Sequence, residues 1–440
     1  MEGGMETAPM AAVAEPGAAV DRRLVQRLHA ARAETDALFR IVRPEHLYDR
    51  PVAERHRIAF YIGHLEAFDR NLLAHAFGSE SPDTELDTLF AFGIDPVDGN
   101  LPQDTPADWP RLEQIFAYCE RVRAHIDAAF ERSTITPRLR QLLNAAIEHR
   151  LMHAETLSYL FHQLPFDCKQ GRAEPCASET SALVPELVHV SAGATTLGLA
   201  DHDVFGWDNE FRAQTLDVPA FAIDKCKISN GQFLRFVEQG GYRERTLWTD
   251  ADWEWVTEQG IAHPAFWLRE ANAWRWKSMF ETIPLPLDAP VYVSHAEASA
   301  YARWAQRQLP NEAQWQRAAF GAGARVAAAS TLPQPPLRFD PAPAHARSLA
   351  PSFSGAVGMR GNGWEWTRTP FAPLPGFAPF DFYPGYSAPF FDGRHFVLKG
   401  GSPRTAPCML RPSFRNWFQA HYPYVYAGFR CVDSEQGGMS

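Results

Sequence analysis

Residues 136–164, TPRLRQLLNAAIEHRLMHAETLSYLFHQL, decide how the first half of the chain is read. Thr136 stands where a helix cap belongs and Pro137 occupies the first helical position, where its fixed φ and missing N–H cost nothing. Leu142, Ala146, His149, His153, Leu157 and Leu160 then fall on one face at three- and four-residue spacing. That is the stripe a bundle helix turns inward. His149 and His153 lie within roughly 40° of each other on it. Histidines inside a bundle core either find hydrogen-bond partners or bind something. Glu155 points roughly 200° away from His153 and reads as a partner for a neighbouring helix rather than as a ligand.

Three further stretches share this grammar: DRRLVQRLHAARAETDALFRIV from Asp21, ERHRIAFYIGHLEAFDRNLLAHAF from Glu54, and DWPRLEQIFAYCERVRAHIDAAF from Asp108. Four long amphipathic helices predict a four-helix bundle over 21–164. Residues 1–20 carry neither the basic nor the apolar segment of a signal peptide and are expected to be a disordered tail. The Pro-bounded, aperiodic stretch 165–185 reads as a linker. From 186 to 440 short apolar runs alternate with Gly, Pro, Asn and Trp clusters. SHAEASAYARWAQRQ (294–308) reads as an amphipathic helix and NEAQWQRAAFG (311–321) as a candidate second one, and the Ala/Pro-rich segment 321–346 is expected to be a mobile insertion. The fold class is therefore α+β, a helical bundle followed by a loop-rich domain.

Composition limits the partners. A net charge of −10 with no dense basic block argues against nucleic acid and anionic membrane. No apolar run approaches the ~20 residues of a membrane span. The six cysteines lack zinc-type CxxC spacing and suit free thiols in a reducing cytoplasm. A monomer or weak homo-oligomer acting on small molecules is expected.

His64, in FYIGHLEAFDRN, falls on the apolar side of its helix between Tyr61 and Phe68, and small Gly63 beside it permits close helix approach. Three neutral imidazoles from two helices would make a facial set with open positions, acceptable to non-haem iron and to zinc. Against this stands the simpler reading of polar residues on a wet or hydrogen-bonded helix face.

The order GHLEAF, HRLMHAE, GNGWEWT, LKGGS, RPSFRNWF, AGFRC resembles the ergothioneine-type sulfoxide synthase family over residues 21–433. That resemblance implies a DinB-like bundle joined to a formylglycine-generating-enzyme-like domain related to C-type lectins. It also implies Fe(II) on His64, His149 and His153, and O₂-dependent bonding of sulfur to the imidazole of hercynine. By the same resemblance, RNW places Asn416 and Trp417 at the hercynine end, where an aromatic face suits a trimethylammonium group at ~0.5–2 kcal/mol. FYPGYS places Tyr383 as proton donor with Tyr386 close by, each with loop packing as the alternative role. Trp364 and Trp366 read as scaffold, and Asn362 and Glu365 as candidate ligands of a structural Ca²⁺.

Three departures from the family pattern matter. Met152 stands where several relatives carry a Gln facing the substrate, and offers a soft, polarisable surface instead. Residues 71–110 contain no Arg or Lys and are acidic, a poor site for the two carboxylates of γ-glutamylcysteine. A neutral polyhydroxylated donor fits better, which points toward the selenoneine synthase branch with a selenosugar as donor. Arg404 or Arg415 remain able to capture a carboxylate, so γ-glutamylcysteine or cysteine stays open as the alternative donor. Cys408 and Cys431 are far apart in sequence, which disfavours the sulfatase-activating chemistry of formylglycine-generating enzymes. A non-catalytic lectin-like binding module and a DinB-type thiol transferase working without O₂ are the rival classes.

Overall fold

A computed structural model of the chain describes residues 16–77, 83–91, 101–172, 183–200, 204–322 and 337–433. The N-terminal half is α1 (Pro16–Phe39), α2 (Ile58–Phe77), α3 (Thr84–Leu89), α4 (Leu112–Arg132) and α5 (Pro137–Gln163). The four long helices are those the periodicity predicts, with α5 packed on α1 and α2, and α2 on α4. Thr136 does cap α5, its hydroxyl accepting from the Leu139 amide at 3.2 Å. Two details differ from expectation. α1 begins at Pro16, so the tail assigned to residues 1–20 ends inside a helix, while 1–15 lie outside the described residues. α3 is an added short helix, held at its start by the Asp83 carboxylate on the Leu86 amide.

The bundle interior is not purely apolar. Arg150 of α5 is wholly buried and donates to Glu66 at 3.0 Å, to Asp69 at 2.6 Å and to the Leu65 carbonyl, all on α2. Arg123 of α4 reaches the same Glu66 at 2.7 Å and pairs with Asp36 of α1. Burial pushes the Glu66 carboxyl up, but Arg150 and Arg123 together outweigh it and hold it below its ordinary value. A pair of this kind adds little net stability over apolar packing, yet breaking it strands a buried charge. Its consequence here is register: it fixes how far α2 is slid along α5.

The second domain is α+β, as expected, and its described strands form four small sheets. β1 (Leu187–Val190), β4 (Phe221–Asp224) and β12 (Val432–Asp433) form one, with β4 central. β2 (Gly193–Leu197) pairs with β3 (Gln214–Val218), and β5 (Trp267–Glu270), β6 (Ala273–Lys277) and β7 (Thr282–Pro284) make an antiparallel meander. The fourth sheet runs β10 (Asn416–Gln419), β9 (His395–Lys399), β8 (Trp364–Pro370), β11 (Ala427–Gly428), with β8 and β11 parallel. Helices α8 (His295–Trp304) and α9 (Glu312–Phe320) fall where the pattern places them. α6 (Asn230–Glu238) and α7 (Asp250–Glu258) do not announce themselves by long periodicity. Their signal is the cap, since Ser229 and Thr249 accept from backbone amides three residues on. Of the expected insertion, residues 323–336 lie outside the described residues.

Trp364 and Trp366 are buried scaffold, as the sequence suggests; Trp366 donates its indole N–H to the Val293 carbonyl. The calcium reading fails at the same place. Glu365 is already neutralised by Lys227 and Arg430, each at 2.9 Å, and accepts from the Trp315 indole. Asn362 has both side-chain ends on the Ala342 backbone. No oxygen-rich cage remains for a hard cation.

The two halves share one hydrophobic core that runs from Leu24 through α2 and α5 to Phe429. α5 carries most of the polar traffic between them. Glu148 bonds Arg411, Met152 meets Tyr386, Glu155 bonds Trp364 and Thr405, and His162 lies against Tyr426 and Lys277. Spaced four, three and seven residues apart, these four side chains form one stripe. One face of the last helix thus carries much of the docking, with Glu34, Arg55 and Phe68 adding contacts from elsewhere in the bundle. Glu155, expected to partner another bundle helix, instead partners the second domain.

Candidate metal centre

His149 and His153 project from α5 one turn apart, and His64 faces them from α2. All three are buried, and one potential ligand atom from each lies within 4.8 Å of the others. The ring centroids are 5.4 Å (His64–His149), 5.0 Å (His64–His153) and 4.5 Å (His149–His153) apart. His64 Nδ1 lies 2.8 Å from the Phe90 carbonyl, which can only accept; Nδ1 therefore carries the proton and Nε2 keeps its lone pair. Phe90 has a second role. A Cβ on Gly63 would come within 2.5 Å of its ring, so the glycine makes room for Phe90 rather than for α5. The same residue thereby packs on α2 and orients its histidine.

The Nδ1 atoms of His149 and His153 are buried with no hydrogen-bond partner. Buried polar atoms are partnered in the great majority of cases, so two orphans on adjacent turns, facing a third imidazole, are a strong departure. Burial drives all three rings toward the neutral form: His64 falls to about 4, and His149 and His153 well below their ordinary value, each further lowered by a neighbouring histidine. Neutral imidazoles with free lone pairs are the state a divalent transition metal needs. The donor set fits such an ion, and an all-nitrogen set suits iron or zinc better than magnesium or calcium.

Aromatic rings wall the centre. Phe68 lies flat on His149 at 3.4 Å and Phe60 on His64 at 4.9 Å, while Tyr61 leans on His153 at 5.9 Å. The second domain contributes Tyr383, whose ring is 5.2 Å from Phe68 and 6.4 Å from His149. Tyr386 sits one layer further out. It stacks on Trp207 at 4.0 Å and its hydroxyl is 3.5 Å from the Met152 sulfur, a sulfur-accepted hydrogen bond. Burial pushes the Tyr386 phenol well above its ordinary value. Trp417 extends the wall, flat on Phe371 at 4.2 Å and edge-on to Tyr386 at 5.3 Å. Asn416 is half-buried beside it, its carbonyl oxygen accepting from the Trp417 amide.

The structure therefore brings His64, His149, His153, Met152, Tyr383, Tyr386 and Trp417 into one aromatic shell. Arg415 is a correction. Its guanidinium is buried in a two-point pair with Glu312, and its remaining nitrogen donates to the Ala372 carbonyl, so it is not presented to a substrate. Arg404 is likewise held by Glu34 and Ser158. The 71–110 segment is also less cation-free than it reads, because Arg50 and Arg57 from the preceding loop ion-pair with Asp104.

Sequence reasoning misses Trp207, Glu210 and Arg411. Arg411 bridges Glu148 of α5 at 2.8 Å and Glu210 of the second domain, and Trp207 donates to Glu148 at 3.0 Å while stacking on Tyr386. Burial still pushes the Glu148 carboxyl up despite Arg411. The only hint in the sequence is a charged Glu148 next to the inward histidine stripe.

Two family models match the chain. Residues 172–435 match the sulfatase-modifying factor enzyme 1-like domain, and residues 27–157 the DinB superfamily. Among curated relatives, the hercynine oxygenase of Mycolicibacterium thermoresistibile is 38% identical over 312 residues, 64% of this chain and 67% of that protein. The hercynine oxygenase of Mycolicibacterium smegmatis is 34% identical over 355 residues, 75% of this chain and 79% of that protein. Ergothioneine biosynthesis protein 1 of Neurospora crassa is 26% identical across 91% of this chain, which spans only 56% of that longer protein.

Proposed function

The chain belongs to the ergothioneine-type sulfoxide synthase family, and on that premise we propose that it is an O₂-dependent non-haem iron enzyme that forms a carbon–selenium bond on the imidazole of hercynine, with a selenosugar as donor. His64, His149 and His153 would hold the Fe(II), which would supply O₂ activation. The remaining steps belong to the chain's own residues. The Phe60, Phe68 and Tyr61 rings exclude bulk water from the imidazoles. Tyr383, whose ring lies 6.4 Å from that of His149, delivers a proton to the reacting centre. Tyr386 is anchored to Met152 and Trp207 and positions the tyrosine loop. Asn416 and Trp417 receive the carboxylate and trimethylammonium end of hercynine.

The observation that carries the choice of donor is the state of the arginines. Arg404, Arg411 and Arg415 each have a carboxylate of the protein itself as partner. A donor bearing two carboxylates would have to displace buried pairs, whereas a neutral sugar need not. Met152 adds a polarisable, non-donating surface beside the histidines, suited to a soft chalcogen.

A second reading keeps a thiol donor. Arg55, which donates to the Tyr422 hydroxyl at 3.0 Å, lies close enough to His153 to depress its protonation. It is the guanidinium a cysteine carboxylate would use.

The test is a donor panel. Protein reconstituted anaerobically with Fe(II) receives hercynine and O₂ with 1-selenoglucose, 1-thioglucose, γ-glutamylcysteine or cysteine in turn, and products are weighed by mass spectrometry. A selenium adduct from 1-selenoglucose, absent without O₂, is expected. Robust turnover of γ-glutamylcysteine with none of 1-selenoglucose would overturn the donor assignment, and product formation without O₂ would return the thiol transferase.

A further inference from the structure

A second cluster of ligating side chains lies away from the three histidines, where the loop before α2 meets the segment after α5. We propose that His46, Asp49 and Cys168 form a second divalent-cation site, taking a borderline-soft ion such as Zn(II), that pins the α1–α2 connection to the segment after α5. One potential ligand atom from each lies within 4.8 Å of the others. Tetrahedral zinc with N, O and S donors at about 2.0–2.3 Å holds those donors roughly 3.3–3.7 Å apart. The set therefore needs only small side-chain adjustments to close on an ion. The donor types favour Zn(II) over Mg(II) or Ca(II), because a thiolate and an imidazole are poor ligands for hard cations. Three protein ligands leave a fourth position for water.

The backbone under the donors is tied down before any ion arrives. The Arg43 amide donates to the Cys168 carbonyl at 2.9 Å, and Val42 bridges Lys169. Asp49 closes a turn onto the His46 carbonyl, and the Cys168 amide closes one onto Pro165. Ligands fixed in this way lose little entropy on binding. His46 and Asp49 are partly exposed and already meet at 2.7 Å, while Cys168 is a buried residue whose thiol lies 3.8 Å from the Asp167 carboxylate, a weak contact an ion would replace. The effect would reach the first centre through the fold. The Asp49 and Leu47 carbonyls accept from the Ile58 and Ala59 amides at the start of α2, the helix that carries His64.

The proposal is tested on the full chain with the first centre disabled by His149→Ala and His153→Ala. Titration with Co(II) is expected to give one bound equivalent and the near-ultraviolet thiolate-to-cobalt absorption that imidazole and carboxylate alone cannot produce. Adding Cys168→Ser should abolish that absorption. Should that protein fail to fold by circular dichroism, Asp49→Asn in the same background carries the test, with binding weakened about tenfold or more. Absence of a thiolate band in the folded double variant, its persistence after Cys168→Ser, or Co(II) affinity unmoved by Asp49→Asn would each overturn the site. None of these readouts depends on which donor the enzyme uses.

Discussion

Glu148, His149 and Arg150 are consecutive and all buried, yet the protein treats them very differently. Glu148 is matched by Arg411 and Trp207 from the second domain, and Arg150 by Glu66 and Asp69 from α2. His149 between them keeps an unpartnered ring nitrogen, as does His153 one turn later. His162, further along the same helix, sharpens the contrast. It too is a buried neutral imidazole, but its nitrogens face the Lys277 carbonyl at 2.6 Å and the Tyr426 hydroxyl at 3.0 Å. Burial alone does not mark a functional histidine. What sets His149 and His153 apart is that two unsatisfied imidazoles stand one turn apart and face a third.

Four variants can break or sharpen that contrast. The largest stability effect is expected at Arg150, because Arg150→Met strips buried Asp69 of its ion pair and leaves Glu66 to Arg123 alone; urea unfolding should show a loss of about 3–5 kcal/mol. A loss under 1 kcal/mol would mean the charges relax to water and do not set the helix register. Next comes His153→Ala, with a drop of about 100-fold or more in O₂-dependent turnover and loss of bound iron, equivalent to ~2.7 kcal/mol or more. Metal-free His153→Ala should melt no lower than the metal-free parent, since it removes an orphaned polar group. A clear destabilisation would make His153 a structural residue like His162.

The pH dependence separates the partnered histidine. Burial lowers His162 to about 3, so the unfolded chain, near 6.5, takes up the proton first. The stability this contributes is complete above pH 6.5 and is lost as pH falls toward 3, at about 1.4 kcal/mol per pH unit. His162→Gln should flatten the slope between pH 6 and 4 by that amount, and an unchanged slope would refute the neutral, buried assignment. The smallest effect is expected at Glu155. Burial pushes its carboxyl up, and its bonds come from the Trp364 indole and the Thr405 hydroxyl. Glu155→Gln should therefore cost about 1 kcal/mol or less and leave iron content unchanged. Loss of iron would make Glu155 part of the metal site.

Much of this was legible in the chain. The spacing of His149 and His153, the apolar setting of His64 and the cap at Thr136 are local patterns, and helical geometry converts them directly into a shared face. What stayed hidden depends on partners far away in sequence. Nothing near Arg415 announces Glu312, and nothing near Glu365 announces Lys227 and Arg430, so one read as a substrate ligand and the other as a calcium ligand. Nothing in GHLEAF says that Gly63 yields to Phe90. The short helices α6 and α7 are signalled in the sequence chiefly by their caps, Ser229 and Thr249.

The docking stripe of α5 also bears on how such proteins can be recombined. Glu148, Met152, Glu155 and His162 belong by sequence to the bundle but by contact to the second domain. A chimaera cut at the junction near residue 165 would pair one relative's stripe with another relative's loops. To transplant a substrate preference intact, the crossover has to fall before α5, or those four positions must travel with the domain they touch.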